Sequence, residues 1–144
     1  EVTVYRDGQE LIGRVRTVAL SGRGIERALL WAGALLQTPH RAISAQRGID
    51  SAGVYVSYFG FGSPASRSRL FAGLQILEVD GQPTPNLDSF IVAVDGLQDR
   101  SSVRLSTVAW NGIPQVVTLR LDRHYWPSYE LRRVGNHWQR SPLK

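Results

Sequence analysis

The chain reads as α+β, mainly β: a small, strongly twisted, partly closed antiparallel sheet or barrel with two helices. Three observations carry this. Short runs of strand character, such as Val54 to Tyr58 and Leu74 to Val79, stand between glycine turns. Two hairpin signals, Asp7-Gly8 and Asn111-Gly112, each join a pair of such runs. One longer segment has a helical stripe, with Leu87, Phe90, Ile91 and Val94 at i, i+3, i+4 and i+7. At 144 residues, 42% of them hydrophobic, the chain holds one packed domain with room for a fragment of another.

Taken in order, Val2 to Tyr5 alternates as a strand, Asp7-Gly8 turns it because glycine accepts positive φ, and Leu11 to Val18 returns. Ser21-Gly22-Arg23-Gly24 reads as a linker. Ile25 to Leu30 is either a short helix or an extended approach, interrupted by Trp31-Ala32-Gly33. Ala34 to Gln37 is a strand stopped by Pro39, which has no N–H to give a ladder. His40 to Asp50 is a polar connection of no assigned form. After the strand from Val54 and the turn Phe59 to Gly62, Ser63 caps a short helix with Pro64 at its first position, where a missing N–H costs nothing. In the next strand Leu74, Ile76, Leu77 and Val79 are expected to be buried, and Asp80-Gly81 turns it. Asn86 caps the longer helix and Gly96 ends it. Val103 to Ala109 and Gln115 to Leu121 form the second hairpin. In the tail, Tyr125 to Lys144, the aromatic part is expected to pack and the arginine-rich end to fray.

Formal net charge is +5, from 17 Lys+Arg against 12 Asp+Glu, and every basic residue except Lys144 is arginine. The arginines are scattered without a run of five or six, which favours a solvated surface over a nucleic-acid or acidic-lipid footprint. Absence of cysteine excludes a disulfide framework, a thiolate zinc site and a cysteine nucleophile. Methionine is absent too, so Glu1 is not expected to be a natural start and the chain reads as a segment of a longer polypeptide. The longest apolar stretch, Ala28 to Leu36, falls well short of the ~20 residues a membrane-spanning helix needs.

Catalytic and metal chemistry find little support. Ser63 follows a glycine, but a nucleophile elbow needs Gly-x-Ser-x-Gly after a strand, and a helix start explains Gly62-Ser63-Pro64 better. His40, His124 and His137 lack metal-ligand spacing, and Asp80-Gly81 with Asp88 lacks the alternating acidic loop of a calcium site. No cofactor, no metal and no intrinsic catalysis are expected. Tyr125-Trp126 with Arg123, Arg132 and Arg133 is the one candidate for nucleic acid, and domain docking explains it equally well, so nucleic acid is not an expected partner.

Gly53-Val54-Tyr55-Val56, Gly62-Ser63-Pro64-Ala65 and Leu74-Gln75-Ile76-Leu77-Glu78-Val79-Asp80-Gly81, in that order and spacing, resemble the centre of a PDZ domain, a module that captures peptide ends. With Val103-Arg104-Leu105 they resemble the PDZ domains of HtrA-type serine proteases, and Val2 to Leu11 resembles the last hairpin of such a domain. The runs Trp31 to His40 and Asp122 to Leu131 are similar to the C-terminal PDZ region of the large, duplicated HtrA/Deg-like proteases of fungi, plants and bacteria. Those proteins pair an active protease half with a degenerate one. Nothing here matches Gly-Asn-Ser-Gly-Gly, so a protease's Ser, His and Asp would lie elsewhere.

The resemblance implies HtrA-type topology and a defined slot. In PDZ domains a peptide adds as a strand to an exposed sheet edge beside a helix, and its carboxylate sits in a loop of backbone N–H groups. On this sequence the loop falls on Trp31, Ala32, Gly33 and Ala34, and the ladder on Ala34, Leu35, Leu36 and Gln37. The other wall falls on Leu87, Ile91 and Asp95, one helical turn apart, leaving Phe90 and Val94 for the core. Pro39 shortens the usable strand, and Ala32 stands where HtrA loops carry an aliphatic residue before the glycine. Two functions are therefore open: a peptide-binding module that recognises substrate or regulates a protease, and a structural or oligomerisation module with a vestigial groove plugged by Trp31. The implied partners are extended peptides or unfolded-protein segments, neighbouring protease and PDZ domains of the same chain, and further copies of the chain. By resemblance the compartment is a bacterial cell envelope, fungal nucleus or plant plastid. The expected division is 1–20, the closing hairpin of a preceding PDZ-like module or an added edge hairpin; 21–24, linker; 25–126, PDZ-like domain; and 127–144, tail.

Overall fold

Left-handed turn residues set the registers of this fold. In the computed structural model, which describes residues 1–17, 24–47 and 52–143, Asp7-Gly8, Ala32-Gly33 and Asp80-Gly81 all take positive φ at both positions, with values of 52° and 77°, 51° and 81°, and 48° and 80°. That is the signature of two-residue hairpin turns whose twist matches the strands they join. They connect β1 (Val2–Arg6) to β2 (Gln9–Gly13), β3 (Arg27–Trp31) to β4 (Ala34–Gln37), and β6 (Gln75–Val79) to β7 (Gln82–Pro83). Between these lie α1 (Arg41–Arg47), β5 (Val54–Phe59) and α2 (Pro64–Arg67). After them come α3 (Leu87–Val94), β8 (Ser102–Val108), β9 (Pro114–Arg120), β10 (Tyr129–Val134) and β11 (His137–Pro142).

Nine strands form one antiparallel sheet in the order β11-β10-β3-β4-β5-β6-β8-β9, with β7 paired to β6. Its two ends stay apart, so the sheet is not closed into a barrel. The β1–β2 hairpin is a separate two-stranded sheet. Leu29, Leu36, Val54, Val56, Leu70, Ile76, Phe90, Leu105 and Leu119 are fully buried and form the centre of the core. The helix α3 adds Leu87, Phe90 and Val94 to it; its start is fixed by the Asn86 side chain, which accepts from the Ser89 N–H at 2.9 Å. The short α2 begins as the sequence suggests, with Ser63 Oγ accepting from the Ser66 N–H at 3.1 Å and Pro64 in the first turn.

Three expectations change and one open alternative is decided. There are three helices among the described residues, not two, because the polar connection after Pro39 contains α1; the His40 ring accepts from the Ala42 N–H at 3.2 Å and so opens it. Ile25 to Leu30 is extended rather than helical, since β3 pairs along its length. Leu77, expected to be buried, is 41% exposed, whereas Gln75 on the same strand is 4% exposed. A register shift between Ile76 and Glu78 in the pairing with β8 breaks the period of two there. Finally, the tail does not fray: β10 and β11 pair from Tyr129↔Pro142 to Val134↔His137, and β10 pairs with β3. Arg140 lies over the Tyr129 ring at 4.4 Å, so part of the arginine-rich composition serves cation–π packing.

Candidate functional site

The expected peptide slot lies along β4 and α3, and the structure already holds a strand there. β4 pairs with β5 on one side, Ala34↔Phe59 to Gln37↔Tyr55. On the other side it pairs with β3, Trp31↔Ala34 to Ala28↔Gln37. It has no free edge. The strand β3 runs antiparallel to β4 and reaches α3: the Trp31 ring meets Phe90 edge-on at 5.2 Å, and Arg27 Nη1 donates to Asp88 Oδ1 at 2.6 Å. Its far edge is covered in turn by β10, Tyr129↔Leu30 to Arg132↔Arg27.

Arg27 ties the three elements together. Besides Asp88 on α3, its Nε donates to Glu130 Oε1 on β10 at 2.5 Å, and Arg132 donates to the same oxygen at 2.8 Å. Partial burial works against the guanidinium charge, but hydrogen bonds and attraction from Asp88 and Glu130 outweigh it and raise the Arg27 pKa above its usual value. The Arg27–Glu130 pair is largely screened from water, whereas Asp88 is 76% exposed.

The expected carboxylate loop is a packed turn. Trp31 and Ala32 are each 2% exposed and Ala34 is 0% exposed. The Ala32 carbonyl accepts from the Ala65 N–H at 3.0 Å, and the Gly33 carbonyl accepts from the Gly60 N–H at 2.8 Å. A Cβ on Gly33 would lie 2.2 Å from Ser63 Cβ and 2.9 Å from Trp126 Cε3. Glycine is therefore needed for close approach of α2 and Trp126, as well as for its positive φ.

The sequence-derived site residues thus fall into three groups. Trp31, Ala32, Gly33, Ala34 and Leu36 are core or packed turn, and Leu35 and Gln37 are half-buried on the opposite face of β4. Leu35 gives its carbonyl to Ser57 Oγ at 3.0 Å. Of the helix residues, Leu87 is in the core rather than on a groove wall, Ile91 packs against the core, and Asp95 is the exposed C-cap. What the sequence reading missed is the hairpin β3–β4. Its signal was faint because Ala32 holds the left-handed position usually given to Asn, Asp or Gly.

Other sites are less developed. A cleft of about 760 Å³ lies away from the slot and is lined by Pro64, Arg67, Arg100, Arg120, Asp122 and Tyr125, among others. The candidate nucleic-acid residues are dispersed in use: Arg123 donates to the Leu97 and Leu143 carbonyls, Arg132 to Glu130, and Arg133 to the Gly135 carbonyl. Among the described residues no group of three or more His, Asp or Glu is placed to hold a metal, and no helix is long and apolar enough to cross a membrane.

The PDZ-like domain family matches residues 25–100. The chain belongs to that family. It is 42% identical over 147 aligned residues to Protease Do-like 7 of Arabidopsis thaliana, a match that covers 99% of this chain and 13% of that protein. It is 38% identical over 130 residues to the pro-apoptotic serine protease nma111 of Aspergillus clavatus, covering 90% of this chain and 13% of that protein. The solved structure of an HtrA-type protease with a tripeptide superposes with a TM-score of 0.51 at 19% identity, over 72% of this chain and 33% of that one. This PDZ-like chain therefore spans about an eighth of the curated relatives it matches, which are HtrA/Deg-like proteases.

Proposed function

We propose that this chain is a non-catalytic PDZ-like module of an HtrA-like serine protease, and that it acts as a scaffold whose peptide slot is permanently filled by its own strand β3. The reading that it captures C-terminal peptides along β4 gives way to this one. The observation that carries the proposal is the double pairing of β4, by β5 and by β3. A covalently attached strand at that edge outcompetes a free peptide, because it loses no translational freedom on pairing. Leu29 and Trp31 on β3 are almost wholly buried, and each such side chain contributes on the order of 1.5–3 kcal/mol. Withdrawing β3 would cost that and the ladder bonds on both its edges, which holds the open form to about 1% or less.

The same filled slot gives the sheet its outer layer. With β3 in place, the hairpin β10–β11 has an edge to pair with, and the Asp122–Trp126 turn can seat Trp126 over Gly33 and Gly60. Such a module would serve the parent protease by holding neighbouring domains or subunits rather than by reading peptide ends. Titration with hydrophobic C-terminal peptides, free and amidated, followed by backbone amide NMR, tests this. Absence of saturable shifts in β3 and β4 up to millimolar peptide is the expected result. Saturable, amidation-sensitive shifts at Trp31 to Gln37 would restore the receptor function.

A further inference from the structure

Three arginines that stand far apart in the sequence meet at one cleft. Arg67 comes from the last turn of α2, Arg100 from the segment between α3 and β8, and Arg120 from the end of β9. The cleft volume, about 760 Å³, falls in the range of about 300–1,000 Å³ that ligand sites occupy. Pro64 and Leu121, both buried, line its base. Hydrogen bonds between distant segments fix its walls. The Leu121 N–H donates to the Ser101 carbonyl at 2.9 Å, and the Arg123 N–H to Asp99 Oδ1 at 2.7 Å. Arg120 Nε donates to the Arg100 carbonyl at 3.0 Å. Asp122 Oδ1 accepts from the Tyr125 N–H at 3.1 Å, and the Asp122 carbonyl from the Trp126 N–H at 2.9 Å. That turn holds the Tyr125 ring on the cleft, 76% exposed and edge-on to His124.

The charges in this cleft do not cancel. Its two carboxylates, Asp99 and Asp122, each have one oxygen engaged by a backbone N–H. Arg100 Nε stays 3.9 Å from Asp99 Oδ2, beyond hydrogen-bond distance. Arg67 has no hydrogen bond or ion pair among the described residues, and Arg120 gives its Nε to a carbonyl rather than to an acid. We propose that this cleft is a docking site for an acidic peptide segment. Guanidinium groups take side-chain carboxylates two N–H groups at a time, which suits Arg67, Arg100 and Arg120 to glutamate and aspartate. The second oxygens of Asp99 and Asp122 suit peptide N–H groups, and the Tyr125 ring suits an apolar side chain between the acids. A nucleic-acid backbone fits less well, because its unbroken row of phosphates would run past both aspartates. No lining residue belongs to β3, β4 or α3, so the proposal does not depend on whether the β4 slot is filled.

Fluorescence anisotropy on the 144-residue chain tests it. The probe is a fluorescein-labelled, C-amidated hexapeptide of glutamates around one phenylalanine; its partners are the same peptide with glutamines for the glutamates, and a single-stranded oligothymidylate of equal charge. Saturable binding of the glutamate peptide is expected, at least about tenfold tighter than that of the glutamine peptide. Arg67→Gln should weaken it about two- to fivefold, the size of one exposed ion pair, and Arg67→Gln with Arg100→Gln by about tenfold. Tyr125→Ala should weaken it about two- to tenfold. Arg104→Gln, at an exposed arginine of β8 outside the cleft, should leave affinity unchanged, and the urea midpoint of Arg67→Gln should match that of the unaltered chain. Backbone amide shifts should gather at residues 97–101 and 120–125. Equal affinity for the glutamate and glutamine peptides, or no binding up to millimolar peptide, would overturn the proposal. So would an Arg67→Gln, Arg100→Gln double variant that binds as the parent does, or tighter binding of the oligothymidylate, which would assign the cleft to nucleic acid. Shifts confined to Trp31 to Gln37 would also overturn it and return the peptide to β4.

Discussion

Gly33→Ala is the sharpest test of whether the turn before β4 is a packed element or an open anion loop. The substitution adds one methyl group at φ +81°, with the new carbon 2.2 Å from Ser63 Cβ, 2.7 Å from Ser63 Oγ and 2.9 Å from Trp126 Cε3. The left-handed backbone costs a non-glycine residue about 1–2 kcal/mol. Forcing Ser63 and Trp126 apart adds about 1–3 kcal/mol of overpacking, for a total of about 2–5 kcal/mol. Gly112 provides the internal reference: its φ is +78°, but nothing lies within 4 Å of the added carbon, so Gly112→Ala should show the backbone term alone. Urea unfolding with linear extrapolation measures both. Ser63→Gly, which removes two of the three close atoms at a capping cost of only a few tenths of a kcal/mol, should rescue part of the Gly33→Ala loss, with a coupling of about 1 kcal/mol. If Gly33→Ala proves no more destabilising than Gly112→Ala, the turn is not packed as described. The case for an occupied slot then loses its support at that end.

Three further outcomes are expected. Glu130→Gln should destabilise the chain by about 1.5–3 kcal/mol, because it weakens a shielded, charge-assisted bond to Arg27, while Asp88→Asn, at an exposed position, should cost under about 1 kcal/mol; chemical denaturation distinguishes them. Ending the chain after Pro127 removes β10 and β11 and bares the edge of β3; light scattering should then show concentration-dependent association that the 144-residue chain lacks, and a monomer at all concentrations would contradict the pairing. Ile76→Ala should cost about 2–5 kcal/mol and the neighbouring Leu77→Ala under about 1 kcal/mol, a contrast that thermal unfolding would register and that burial of both side chains, as expected from the sequence, would erase.

On the proposed reading, the pairing of β4 with β3 removes the edge a peptide would need and leaves the PDZ-like strands and helices in place. Family membership follows from the centre of the chain, where β5, α2, β6 and α3 lie as the turn and cap residues direct. The slot depends on segments at its margins. Arg27 and Glu130, 103 positions apart in the chain, meet across the β3–β10 pair, and Trp126 closes over Gly33 from a turn that begins at Asp122. A strand's hydrogen-bonding edge is a shared resource, and any segment able to reach it first, in cis, removes it from competition.

What the sequence determined by itself is local. Asp80-Gly81 turns a hairpin because both positions accept positive φ; Asn86 and Ser63 start helices because their side chains satisfy free N–H groups; Phe90 and Val94 face inward because they share one stripe of α3. Each rests on residues within a few positions of one another. Tertiary structure alone decided that β4 is interior, that the tail is a paired hairpin, and that Leu77 rather than Gln75 faces outward. The reason is physical: an edge is free only if no other segment of the chain pairs with it. That depends on contacts across long separations and on one bulge, neither of which leaves a periodic trace in the order of residues.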